Sequence, residues 1–177
     1  MIKTSIFHRC ARALLLFWAS WAAFVFPVLA DNPAPKVELS ITGATPREVE
    51  DTTEKAIVRD YSAAWAGLTT ALASNRAGAL EAGFTGAAHD ELAARIEQQS
   101  KNGLRTQITD RGHNLEAVIY TPEGSAMQLH DTAQLDIQIL DGGKIIHSEH
   151  AIVHYVVLMT VAEDRWKVRL LQAVPGF

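Results

Sequence analysis

The chain has 177 residues, 48% of them hydrophobic and 20% charged, and a formal net charge of −4. That length suits one ordinary domain plus an extension, and that composition excludes a disordered chain, whose signature is few apolar residues and much charge. A negative balance without any Lys/Arg cluster speaks against nucleic acid and anionic lipid surface as partners.

At the amino terminus, Lys3, Arg9 and Arg12 precede an uncharged apolar run over 13–26, followed by Pro27, Val28, Leu29 and Ala30. This is the charged region, apolar region and small-residue site of an export signal, so 1–30 is expected to be a signal peptide cut between Ala30 and Asp31. The alternative is an uncleaved membrane anchor, because 13–30 just reaches the length that spans a bilayer. Cleavage would leave thirteen Lys and Arg against twenty Asp and Glu, a net charge of −7. It would also remove Cys10, the only cysteine, which precedes the apolar run where a lipidated cysteine would have to follow it. The mature protein would then have no disulfide, no thiolate nucleophile and no zinc–thiolate site. An extracytoplasmic location, periplasmic or secreted, is expected.

Residues 31–45, with Pro33, Pro35 and Gly43, read as an unstructured linker or extended arm, although 37–41 (VELSI) alternates as an edge strand would. The folded domain is expected over 46–177. Thr45, Pro46 and Glu48 make a capping pattern that starts a long helix, with Val49, Ile57, Tyr61, Ala64, Trp65, Leu68 and Leu72 on one stripe. Asn75 suggests a new cap and a short helix over 77–84. A further helix carries Ala88, Leu92 and Ile96 at fourfold spacing and ends at Asn102-Gly103.

Strand character begins at Leu104 and runs to Tyr120, with a break predicted at 110–112 and a turn at 121–124. The next strand alternates cleanly: Met127, Leu129, Ala133, Leu135, Ile137 and Ile139 share a face with a single carboxylate, Asp131, while the opposite face is polar. Asp141-Gly142-Gly143-Lys144 is a hairpin turn. Two more strands, 145–160 and 166–174, complete three hairpins. The expected class is α+β: a long N-terminal helix and two shorter helices packed on a curved, antiparallel, four-stranded sheet.

Three segments, 56–65 (AIVRDYSAAW), 79–84 (ALEAGF) and 165–171 (RWKVRLL), resemble the nuclear-transport-factor-2-like, or cystatin-like cone, superfamily, and the resemblance spans about 46–174. It implies a cone fold. It also implies a choice among that superfamily's isomerases, dehydratases, ligand carriers, and secretion or assembly adaptors that bind protein through the sheet. Its isomerases use an acid with a polarising tyrosine or aspartate, and its dehydratases an Asp/His pair, inside the cone.

Asp131 is accordingly the candidate catalytic group, with Tyr61 or a histidine beside it, since an unpartnered buried carboxylate is pushed toward the pKa of a general acid or base. The alternative for Asp131 is a bulge or edge position from which the carboxylate reaches solvent or a backbone amide. For Tyr61 and Trp65 the alternative is core packing. Tyr61, Trp65, Asp131, His150 and Tyr155 are the expected pocket-lining residues. His150 and His154 share a face but stand about 13 Å apart along a strand, too far to share one ion, and His147 faces the other way, so no metal is expected. There is no Gly-x-Ser-x-Gly elbow, phosphate loop or His-Glu-x-x-His, and no cofactor is expected. The sequence therefore favours a non-enzymatic extracytoplasmic domain that binds an apolar small molecule or a protein partner, with homodimerisation through the sheet as a further expectation. A small pocket enzyme is the runner-up. If the amino-terminal segment stays uncleaved, a membrane-anchored secretion or assembly factor is the third reading.

Overall fold

The structure is a computed structural model that describes residues 36–177; the expected signal peptide, with its Ala30–Asp31 site, lies outside the described residues. Among these, the elements in chain order are β1 (Val37–Ser40), β2 (Thr45–Pro46), α1 (Asp51–Ser74), a 3-10 turn (Ala77–Leu80), α2 (Gly86–Lys101), β3 (Leu104–Tyr120), β4 (Ala126–Asp141), β5 (Lys144–Ala162) and β6 (Arg165–Val174).

The expected arrangement of three helices on four antiparallel strands is overturned. The described residues hold two α-helices and a six-stranded mixed sheet, although an α+β layering is broadly consistent with what is seen. The strand order is β1-β3-β4-β5-β6, with β2 also paired to β3. β1 and β2 run parallel to β3, Val37 opposite His113 and Thr45 opposite Ile119. The extra strands come from the segment read as an arm. β3 is seventeen residues long and has a whole free edge, and 37–40 has the alternation needed to cover it, with Val37 and Leu39 packed against the core and Glu38 and Ser40 outward. Because Thr45–Pro46 is held on that edge, the long helix starts at Asp51 rather than at the predicted capping pattern. Arg47 is fixed by Glu50 and by the Pro122 carbonyl, and lies over the Tyr120 ring. Glu50 occupies the helix-entry position without a side-chain cap.

α1 buries Ile57, Tyr61, Ala64, Trp65, Leu68 and Leu72 along one stripe, the predicted face without Val49, which precedes the helix, against the sheet. Asn75, read as the start of a new helix, closes α1 instead. It takes a left-handed conformation (φ 56°), and its amide N–H bonds back to the Ala71 carbonyl while its side chain reaches the Leu104 carbonyl. The predicted short helix is only a 3-10 turn. Its chain presses so closely on α1 that a Cβ at Gly83 would lie 2.5 Å from the Ala64 Cα, and Gly83 and Thr85 bond the backbone of Val168 in β6. A regular helix could not make that exchange with a strand.

Across the sheet, Met127, Leu129, Asp131, Ala133 and Leu135 of β4 form the buried floor, opposite Met159, Val157, Tyr155, Val153 and Ala151 of β5. Asp60 ties the layers together: its buried carboxylate bonds Arg59 and accepts the backbone N–H of Trp166, pinning α1 to β6. No helix among the described residues is long and apolar enough to cross a membrane.

Candidate functional site

The central feature is a buried polar cluster on the inner face of β3 and β4. Asp131 is fully buried mid-strand in β4, not at a bulge or an edge. Its Oδ2 accepts the Tyr61 hydroxyl at 2.7 Å and the His113 Nδ1–H at 2.8 Å, and the His113 Nε2–H goes on to Asp110 Oδ2 at 2.8 Å. Asp131 Oδ1 and the Trp65 indole nitrogen are the two buried side-chain polar atoms with no hydrogen-bond partner among the described residues.

The backbone explains how Asp110 and His113 meet. Residues three apart on a strand face opposite sides, so the pair requires an irregularity. The pairing of β3 with β4 shifts between Asp110 and Gly112, inserting one residue and returning both side chains to the inner face. Gly112 takes φ 145°, a conformation that favours glycine. Its N–H bonds Asp110 Oδ1, and a Cβ there would meet the Lys36 carbonyl at 3.1 Å. The break expected at 110–112 is thus a bulge inside a continuous strand.

Burial alone would lower the His113 pKa, but hydrogen bonds and charge from Asp110 and Asp131 overcome it and raise it from 6.5 to about 9. The ring is therefore an imidazolium at neutral pH, donating from both nitrogens. Burial, then the Asp131 charge, pushes the Tyr61 hydroxyl well above its ordinary value, so it stays protonated.

A cavity of about 350 Å³ lies beside this cluster, between α1, α2 and the sheet. Trp65, Leu68, Leu72, Leu92, Ile108 and Leu135 are part of its apolar lining; its polar lining comes from Glu91, Arg95, Thr106 and Tyr155. Of the five residues expected to line a pocket, Trp65 and Tyr155 do. Tyr61 and Asp131 do not: Trp65, whose ring centre is 4.4 Å from that of His113 and 5.7 Å from that of Tyr155, stands between the cluster and the cavity. His150 lies on the outer face of the sheet, 59% exposed, bonded to Asp136. Among the described residues no three groups are placed to hold a metal ion.

Sequence reasoning missed His113, Asp110 and Arg95. The signal for His113 was present in the alternation His113, Leu115, Ala117, all buried, but assuming a break at 110–112 hid the register. For Arg95, nothing in the helical pattern distinguishes a cavity-facing cation from a solvated one.

No protein-family profile matches the chain, and no curated protein matches it. Among solved structures, it is similar to the intermembrane-space region of the chloroplast protein ARC6, with a TM-score of 0.61 at 14% identity over 73% of this chain and 98% of that one. A putative scytalone dehydratase from Novosphingobium aromaticivorans aligns with a TM-score of 0.44 at 12% identity, over 68% of this chain and 83% of that one. The first likeness is one of fold; the second is too distant to argue from.

Proposed function

We propose that this chain is an extracytoplasmic, non-enzymatic domain of the nuclear-transport-factor-2-like kind whose cavity binds an apolar small molecule. The observation that carries the reading is the separation of two environments. The titratable cluster of Asp131, His113 and Tyr61 is sealed behind Trp65, while the neighbouring cavity is walled mainly by aliphatic side chains. A general acid or base must come within hydrogen-bond reach of the proton that it moves, and a molecule in this cavity meets the Trp65 indole rather than the Asp131 carboxylate. A cavity of about 350 Å³ falls at the lower end of the usual range for small-molecule sites, and such sites are mostly apolar with a few placed polar groups.

The test is a titration with the neutral fluorescent probe N-phenyl-1-naphthylamine. Saturable binding is expected. Leu92→Trp, which fills the cavity from the half-buried face of α2, is expected to weaken it by about tenfold or more, the effect of losing roughly 1.4 kcal/mol. Absence of saturable binding, or binding indifferent to Leu92→Trp, would refute the reading.

The extracytoplasmic part rests on the amino-terminal pattern of Lys3, Arg9 and Arg12 before an apolar run that ends at Ala30. Mass spectrometry of the protein from its native compartment is expected to find Asp31 as the first residue. An intact amino terminus in the membrane fraction would replace export with anchoring.

A further inference from the structure

The cavity is not uniformly apolar at its rim. Glu91 and Arg95 line it from α2, four residues apart, a spacing at which opposite charges on a helix commonly pair. They form no ion pair with each other, and neither side chain has a hydrogen bond or salt bridge to any other described residue, unlike Arg47, Arg59 and Arg111. Tyr155 faces the same space from β5, and its hydroxyl likewise makes no hydrogen bond among the described residues. The other polar lining residue, Thr106, is already committed to the Gln99 side chain at 2.8 Å.

Two uncommitted donors therefore meet at the edge of an aliphatic chamber: a guanidinium, which presents a planar fork suited to a carboxylate, and a phenol. Burial raises the Tyr155 pKa above its ordinary value, with the nearby Arg95 charge opposing the rise, so the phenol keeps its proton and can donate at neutral pH.

We propose that the ligand is an amphiphilic carboxylate, its headgroup held by the Arg95 guanidinium and the Tyr155 hydroxyl and its apolar body lying against Leu68, Leu72 and Leu92. This rests on the reading of the cavity as a small-molecule site and adds the chemistry of the occupant. An anion receives two donors and one unfavourable neighbour, Glu91. A cation would receive Glu91 and the phenol oxygen as an acceptor, with Arg95 repelling it from one turn away. The two rim charges thus do not cancel as anchors, because the Arg95 charge, and not that of Glu91, acts on the Tyr155 phenol, so guanidinium and phenol serve one headgroup.

Three ten-carbon probes separate the possibilities: decanoate and decylammonium below their micelle concentrations and decan-1-ol below its solubility limit, titrated calorimetrically into the full chain. Decanoate is expected to bind at least tenfold more tightly than decan-1-ol, and decylammonium more weakly than either. Arg95→Met is expected to bring decanoate down to the affinity of decan-1-ol while leaving the alcohol unchanged; Arg95 is exposed and unpaired, so the fold should be retained, as its thermal unfolding will report. Tyr155→Phe should weaken decanoate several-fold, and Glu91→Gln should tighten it. Equal binding of decanoate and decan-1-ol, indifference of decanoate to Arg95→Met, or preference for decylammonium would each overturn the carboxylate proposal while leaving the cavity reading intact. Failure of decan-1-ol and of N-phenyl-1-naphthylamine to bind at all would remove the cavity reading itself.

Discussion

Replacing Asp131 with alanine is expected to lower the unfolding free energy by about 3–5 kcal/mol, the cost of breaking a buried ion pair by removing one partner. Two groups lose their acceptor at once. The His113 imidazolium retains only Asp110, and the Tyr61 hydroxyl loses the acceptor of its proton at a position where its own side chain is fully buried. His113 can escape part of the cost by giving up its proton, which makes the lower half of that range the better expectation. Asp131→Asn keeps an acceptor and should cost less. Urea unfolding at pH 7 measures both, and a loss under about 1 kcal/mol for Asp131→Ala would show that the cluster does not hold the layers together.

The same pairing has a pH signature whose sign is fixed by the direction of the shift. The folded-state pKa of His113 is raised from 6.5 to about 9, so its contribution is complete below pH 6.5 and is lost as the pH climbs through 9. The wild-type protein should therefore lose stability across that window, by no more than about 3 kcal/mol for a shift of this size. Asp131→Ala should flatten the loss, and His113→Gln should abolish it. A wild-type profile that is level from pH 6.5 to 9 would mean that His113 is not charged in the folded state.

Trp65→Ala is the second large effect, expected at about 3 kcal/mol, the lower end of the range for truncating a buried aromatic residue. The loss side is large: Trp65 is 1% exposed and packs on Tyr61, His113 and Tyr155. Two things oppose it. The indole N–H is buried with no well-aligned partner, only the nearby Tyr61 hydroxyl, so removing it relieves at most a penalty of order 1–3 kcal/mol. The space vacated also joins an existing cavity instead of creating an isolated one. Trp65→Phe, which keeps an aromatic wall and drops the unpaired N–H, is accordingly expected to lie within about 1 kcal/mol of wild type. The alanine variant should also connect the cavity to the polar cluster, so N-phenyl-1-naphthylamine emission, which reports the polarity around it, should shift to the red. A cost below about 1 kcal/mol by denaturant unfolding would show that the packing of Trp65 on Tyr61, His113 and Tyr155 contributes little net stability.

The buried faces of α1 and β4 were legible in the sequence because each is periodic over many residues. Tyr61, Trp65 and Leu68 recur at helical spacing; Met127, Leu129 and Leu135 fall on alternate positions, and water sorts both patterns the same way wherever they fold. The end of α2 at Asn102-Gly103 was legible for a local reason, since Gly103 takes a left-handed conformation (φ 71°) that glycine adopts without strain. What depended on partners distant in the chain was legible only as an alternative, as the alternation over 37–41 was, or not at all. Val37–Ser40 becomes a strand only because β3 offers an open edge more than seventy residues away, and Thr45–Pro46 is drawn to that same edge instead of opening the helix.

The site divides along the same line. The sequence alone marked Asp131 as the one charge on an apolar face and Tyr61 as a possible partner. Only the tertiary structure joins them through His113, because that junction requires the register of β3 on β4 and a bulge at 110–112 that reverses the parity of one strand. It alone decides, too, that Trp65 parts this cluster from the cavity and that Arg95 and Tyr155, sixty residues apart, line one rim. Periodicity records which side of an element meets water; it carries no information about which elements face one another, and both the sealed cluster and the open cavity are made by that choice.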